Sequence, residues 1–302
     1  MMASQADRLT FGVAAALATV AIAACVPSAP VSRRPLTGHT ALDAPHAAAS
    51  SHTPRAVTRP APPKVVISRF RAADGSVVTL AAFRGAVRYR LHSGSQDPGP
   101  VALRVVRAGP QIGRRERRRL LAAFNGGFLL SAGAGGYEQE DHVISPLRRG
   151  LASLVINRSG AAAVGAWGSQ VPRPHEAVLS VRQNLRLLVR HGHATRAAAD
   201  WNIWGATLGG GEYVARSALG QNAAGELIYA GSMSASPADL AAALVHAGAR
   251  RAMELDINPE WVQLDVAHRP GGPLRAAIPG QARPADQYLS GWTRDFIAVL
   301  AR

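Results

Sequence analysis

Between Ala252 and Asn258 the chain reads AMELDIN, so Glu254, Asp256 and Asn258 alternate with Met253, Leu255 and Ile257. Strict alternation predicts a strand with one packed face and one wet or functional face. A merely solvated strand face carries Thr, Lys or Ser more often than two acids and an amide. Neighbours on one face are about 6.6 Å apart by strand rise alone, close enough for two carboxyl groups to act on one substrate. Each also raises the other's proton affinity, which can keep one protonated for acid work. Two other uses of the same residues stay open: ion pairs to arginines, or a divalent-cation site completed by Asn258.

Other segments offer binding groups. Asn125, Gly126 and Gly127 follow an apolar run, and an amide beside exposed backbone N–H groups can cradle a sugar or phosphate. A simple tight turn is the alternative. Gln183 and Asn184 could read sugar hydroxyls or cap a short helix, and Arg294 in TRDF is a further phosphate candidate. His191 and His193 have a metal-compatible spacing but no nearby acid or third histidine, which favours a solvated loop. GATLGGGEY lacks the G-K-S/T ending of a nucleotide loop. GAGGYEQED reads as a mobile loop whose acids could bind a cation. There is no G-x-S-x-G elbow and no paired cysteine motif.

The elements that must position these groups run from Val65 to Arg302, an uninterrupted stretch fitting one domain. Val65 to Leu91 reads as strands about a turn at ADGS (residues 73–76), and VALRVVRAG as another strand. Arg114 to Arg119 form a dense cluster before the apolar run that ends at Asn125. LASLVINRSG and AAAVGAWG read as a hairpin, EAVLSVRQNLRLLVRHG as a loop and short amphipathic helix, and GELIYAGS as a strand. SPADLAAALVHAGA is the strongest helix signal: Ser236 as N-cap, Pro237 in the first turn, Asp239 completing a capping box, and Gly248 as terminator. It delivers the chain into AMELDIN. The fold class expected is α+β, with a mixed sheet and packed helices.

Ahead of this domain lies a different kind of sequence. Arg8 precedes a charge-free apolar run from Phe11 to Ala24, shorter than the roughly 20 residues of a membrane span. It fits a secretory signal over residues 1–25. Ile22-Ala23-Ala24-Cys25 resembles a bacterial lipobox, with Cys25, the only cysteine, as the lipidated residue. Residues 26–64, rich in Pro, Ala and Ser, read as a tether. The expected location is the outer face of the cytoplasmic membrane, or the exterior. The 34 Lys+Arg against 19 Asp+Glu give a formal net charge of +15. Such a balance favours anionic partners, and Lys64 is the only lysine. Nucleic acid is not expected, since no reader motif is present.

In order and spacing, AAFNGGF (122–128), SPLRRGLASLVINRSG (145–160), VGAWG (164–168), VRQNLRLLV (181–189), ARSALG (215–220), AMELDIN and TRDFIAVL (293–300) resemble the phosphodiester glycosidase family. The likeness covers most of Val101 to Arg302. It implies an exported hydrolase that breaks a sugar–phosphate diester of an envelope glycan. Asp256 would be the principal catalytic carboxylate, Glu254 its partner, and Arg216 the phosphate clamp. Members follow this aspartate with a glycine-rich, serine-containing loop, whereas here Asp256 is followed by Ile257, Asn258, Pro259 and Glu260. That departure implies a different pose, a different substrate or lost activity. No cofactor is predicted beyond the divalent-cation alternative. The partner is a glycan phosphodiester or anionic wall polymer, and a surface module that binds such a polymer without cleaving it is the second reading.

Overall fold

The computed structural model describes residues 64–206 and 210–302. The signal segment, Cys25 and the tether up to Pro63 therefore fall outside the described residues. Among the described residues no helix is long and apolar enough to cross a membrane.

Among the described residues, seventeen strands make up most of the regular secondary structure. They begin with β1 (Val65–Arg71), β2 (Val77–Phe83), β3 (Val87–His92), β4 (Leu120–Asn125), β5 (Tyr137–Gln139) and β6 (His142–Ser145). Next come β7 (Ala152–Asn157), β8 (Ala162–Ala166), β9 (Val178–Gln183), β10 (Leu187–Arg190), β11 (His193–Ala194) and β12 (Val214–Asn222). The last are β13 (Leu227–Ala235), β14 (Ala249–Glu254), β15 (Leu264–Ala267), β16 (Leu274–Ala276) and β17 (Phe296–Ala301). They form a seven-stranded sheet (β1-β2-β13-β12-β14-β10-β11) and two five-stranded sheets (β16-β15-β4-β17-β3 and β6-β5-β9-β7-β8).

Every pairing between these strands is antiparallel, so the expected mixed sheet is not what forms. Helix is sparse: α1 (Pro100–Leu103) and α2 (Arg114–Arg117) are single turns, and α3 (Pro237–His246) is the one of length. The α+β expectation thus holds only loosely for a mostly β chain.

Local signals explain much of this. Ser236 accepts from Asp239 N while Asp239 returns a bond to Ser236 N, so the capping box of α3 is complete. The predicted β1–β2 and β7–β8 hairpins form. Three segments differ. VALRVVRAG begins with the turn α1, because Pro100 suits a first helical turn and cannot donate to a strand ladder. The loop and short amphipathic helix expected over EAVLSVRQNLRLLVRHG (176–192) are instead β9 and β10, whose apolar residues pack into the sheets. GAGGYEQED is no free loop: Glu140 and Asp141, both at positive φ, make the two-residue turn between β5 and β6.

The main core lies between the sheets. Phe83, Leu91, Phe124, Leu154, Leu219, Met253, Leu255 and Val299 bring all three together in one cluster. The other face of the seven-stranded sheet is covered by α3, where Leu240 and Leu244 pack with Leu80, Ile228, Ala218 and Ala252. A Cβ on Gly220 would lie 2.9 Å from the Ala249 Cβ and 3.0 Å from Leu244 Cδ2, so glycine permits this close approach. Both faces of β14 are therefore inside the protein. The polar face read from AMELDIN is not wet, and Glu254 is fully buried.

Candidate active site

Asp256 lies just beyond the end of β14, and its neighbours fix it tightly. Ser217 on β12 donates from its N and Oγ to Asp256 O, each at 2.9 Å, and its Oγ accepts from Asp256 N at 3.1 Å. Asn184 donates to the carbonyls of Glu254 and Leu255 at 3.0 and 2.9 Å. Asn125 in turn holds Ser217 Oγ at 2.9 Å, while its own Oδ1 accepts from Tyr229 Oη and Gln263 N. Asn125 and Asn184 thus support the carboxylate-bearing segment from two sheets. Both are buried with their donors engaged, so neither presents an amide to a substrate.

The side chain of Asp256 reaches a cleft of about 190 Å³ lined by Phe128, Leu129, Ala132, Ile257, Asn258 and Arg294. Its Oδ1 accepts from the backbone N–H groups of Ile257 (2.7 Å) and Asn258 (3.0 Å). Its Oδ2 accepts from Arg294 Nη1 at 2.9 Å. The N–H groups that a glycine-rich loop would offer to a phosphate are here turned onto the carboxylate itself. Burial pushes the Asp256 carboxyl above its ordinary value, against the pull of Arg294 and the two N–H groups. Arg294 is itself seated over the Trp261 ring, 4.7 Å from its centroid.

Glu254 does not join Asp256 at the cleft. It shares a buried ion pair with Arg216 at 2.8 Å, and neither side chain is exposed. Arg216 also donates to the carbonyls of Ala235 and Trp204. Burial pushes the Glu254 carboxyl up to about 8 against the attraction of Arg216, and its Oε2 has no hydrogen-bond partner. Arg216, the residue implied as a phosphate clamp, is fully buried in this ion pair. Glu254, Asp256 and Asn258 do not converge on a common point for a cation. Glu254 faces Arg216, Asp256 faces Arg294, and Asn258 Oδ1 accepts from Glu260 N. Among the described residues there is no cluster of three His, Cys, Asp or Glu suited to a metal. His191 and Gly192, both at positive φ, are the turn between β10 and β11.

Gly126 and Gly127 serve a pair that sequence reasoning did not single out. Arg182 on β9 donates from Nε to Asp295 Oδ2 at 2.7 Å, and both side chains are buried. A Cβ on Gly126 would lie 2.0 Å from Asp295 Oδ2, and one on Gly127 3.0 Å from Arg182 Cζ. The two glycines are the seat of this ion pair. Arg182 also donates to Phe128 O, which ties the pair to the cleft wall, and Asp295 adjoins Arg294 in the chain. Nearby Asp97 accepts from Leu130 N, and burial with the Asp295 charge raises its carboxyl to about 6. The available signals were a charge in the short apolar run before Gln183, for Arg182, and an acid beside Arg294, for Asp295; reading the first segment as helix hid the former. Gln183 is buried too, bonding Gly136 N, Arg148 N and O, and Ser153 Oγ.

No protein-family model matches the chain. No relative among curated proteins matches it either. Among solved structures it is similar to the catalytic domain of zebrafish N-acetylglucosamine-1-phosphodiester alpha-N-acetylglucosaminidase, auto-inhibited by its pro-peptide. Identity is 14%, the TM-score is 0.47, and the match covers 79% of this chain and 82% of that one. A hypothetical protein from Synechocystis is similar at 14% identity and TM-score 0.45, over 79% of this chain and 62% of that one.

Proposed function

We propose that this chain is an exported hydrolase that cleaves a sugar–phosphate diester of an envelope or extracellular glycan, with Asp256 as its principal carboxylate. The observation that carries this reading is Asp256 itself: a carboxylate with raised proton affinity, anchored by backbone N–H groups, at the wall of a cleft beside a cation. In the reaction water adds at the anomeric carbon and the bond from that carbon to the phosphate oxygen breaks. The products are a free sugar and a phosphomonoester. Asp256 supports the oxocarbenium-like centre and takes the proton of the attacking water. A phosphate is a weakly basic leaving group, so the step does not require a second carboxylic acid, and Glu254 is left out of it. Arg294 contacts Asp256 through Nη1 alone, and its remaining donors suit the departing phosphate. No cofactor is invoked. The lipid anchor at Cys25 belongs to the same reading, as the means of holding the domain at the envelope.

The full chain incubated with N-acetylglucosamine-1-phosphodiester and related sugar phosphodiesters, with and without divalent ions, should release free sugar. Asp256→Asn should reduce that release by more than about 100-fold while circular dichroism stays native. Release that persists in Asp256→Asn would remove the assigned carboxylate. A second reading, a surface module that binds anionic glycan without cleaving it, is favoured by the withdrawal of Glu254 from the cleft. It predicts no release from any substrate together with salt-sensitive binding.

A further inference from the structure

Beside the Asp256 cleft runs a larger groove of about 640 Å³ whose lining includes Arg148, Arg149, Arg186 and Arg190. All four are exposed, and among the described residues none of them has a carboxylate within ion-pair distance. Four unneutralised guanidinium groups around one concavity repel each other and concentrate anions from solution. Guanidinium forks match phosphate oxygens in pairs. Arg148 is also bound to the carbonyl of Gly133 on the groove's own wall.

The groove and the cleft share a wall. Leu185 lines the groove and packs against Phe128, Ala134 and Ile257, two of which line the cleft. Ala132 on the cleft is followed by Gly133 and Ala134 on the groove. Leu185 has φ of 49°, a conformation that a bulky side chain adopts only where its surroundings impose it. Hydrogen bonds from Leu185 N to Ala134 O and from Ala152 N to Leu185 O hold it there.

We propose that the arginine groove binds the phosphates of an oligomeric glycosyl-phosphate chain, one sugar–phosphate linkage of which enters the Asp256 cleft. This deepens the hydrolase reading by naming its substrate as a polymer with repeated phosphodiesters rather than a single capped sugar. The Arg294 site meets one phosphate, while the four arginines of the adjoining groove suit the next ones. Single-stranded nucleic acid fits less well, since it is held by aromatic platforms and the groove lining has no aromatic residue.

The test is binding, which needs no turnover and so stands or falls apart from hydrolysis. A fluorescein-labelled oligomer of hexose-1-phosphate units is titrated with the full chain, with Arg186→Glu/Arg190→Glu, and with Arg114→Glu/Arg115→Glu. The last pair changes net charge equally but lies on α2, outside the groove. The groove variant should bind at least about tenfold more weakly, with a shallower salt dependence, and the α2 variant should bind like the parent. Equal loss in both variants would mean attraction by overall charge and would overturn the proposal. So would unchanged binding in the groove variant, or tighter groove-dependent binding of an oligothymidylate of the same charge. Hydrolysis is read separately. A groove that binds while no sugar is released leaves this proposal standing on polymer binding and removes only the catalytic reading.

Discussion

The two carboxylates of AMELDIN, two residues apart, have opposite surroundings. Asp256 has two backbone donors, a cation and a cleft, whereas Glu254 has one arginine and no solvent. Complete burial makes an uncompensated charge on either side chain costly, and each is the other's counter-charge. Glu254→Gln should therefore cost about 3–5 kcal/mol of unfolding free energy, measured by urea titration, because it leaves the Arg216 guanidinium buried without a counter-charge. Arg216→Met should cost at least as much at neutral pH, because it removes the partner of a buried acid and abandons two carbonyls. A change below about 1 kcal/mol in either variant would contradict this account of the pair.

At the level of elements, the decisive joint is the β4 end, where Asn125, Gly126 and Gly127 meet β9 and the start of β17. Asp295 closes on Gly126 so tightly that a methyl group there has no room. Gly126→Ala should cost about 2–4 kcal/mol, in line with overpacking combined with damage to a buried ion pair. Gly113→Ala, where an added Cβ meets nothing, should stay within about 0.5 kcal/mol. Thermal melts of the two variants beside the parent make the comparison. A mild Gly126→Ala would mean that the Arg182–Asp295 pair can shift without loss.

Across the whole molecule the buried acids set the response to pH. Glu254 rises from 4.5 to about 8, Asp265 from 3.8 to about 8, and Asp97 from 3.8 to about 6, each chiefly through burial. A carboxyl with a raised folded value binds its proton more tightly folded than unfolded. Its contribution is therefore present at low pH and is lost as pH rises between the two values. Glu116, drawn down to about 2 by His92 and Arg90 against burial, contributes in the opposite sense and is lost as pH falls from 4.5 towards 2. Melting temperature should peak in mildly acidic solution and decline towards pH 8. Asp265→Asn should flatten the decline, since Asp265 is held only by the Gln263 and Gln281 amides. A melting temperature that climbs steadily to pH 8 would contradict these directions.

What could be read from the residues in order was whatever a few neighbours decide. The capping box of α3 spans Ser236 to Asp239, and the β1–β2 and β7–β8 turns close over a handful of residues. The alternation in AMELDIN did foretell an extended segment, and Asp256 and Arg294 were both singled out before they were found bonded. Which side of that segment meets substrate was not legible, because α3 covers the face that alternation would leave wet. Nor was the use of Asn125, Gly126 and Gly127, whose partners Ser217 and Asp295 lie far along the chain. Arg182 and Asp295 are 113 residues apart, and Asn125 and Ser217 are 92 apart. Burial, and with it the fate of each charge, depends on which sheets close over a side chain. Local spacing carries no record of that closure, so tertiary packing alone separated the carboxylate at the cleft from the carboxylate in the core.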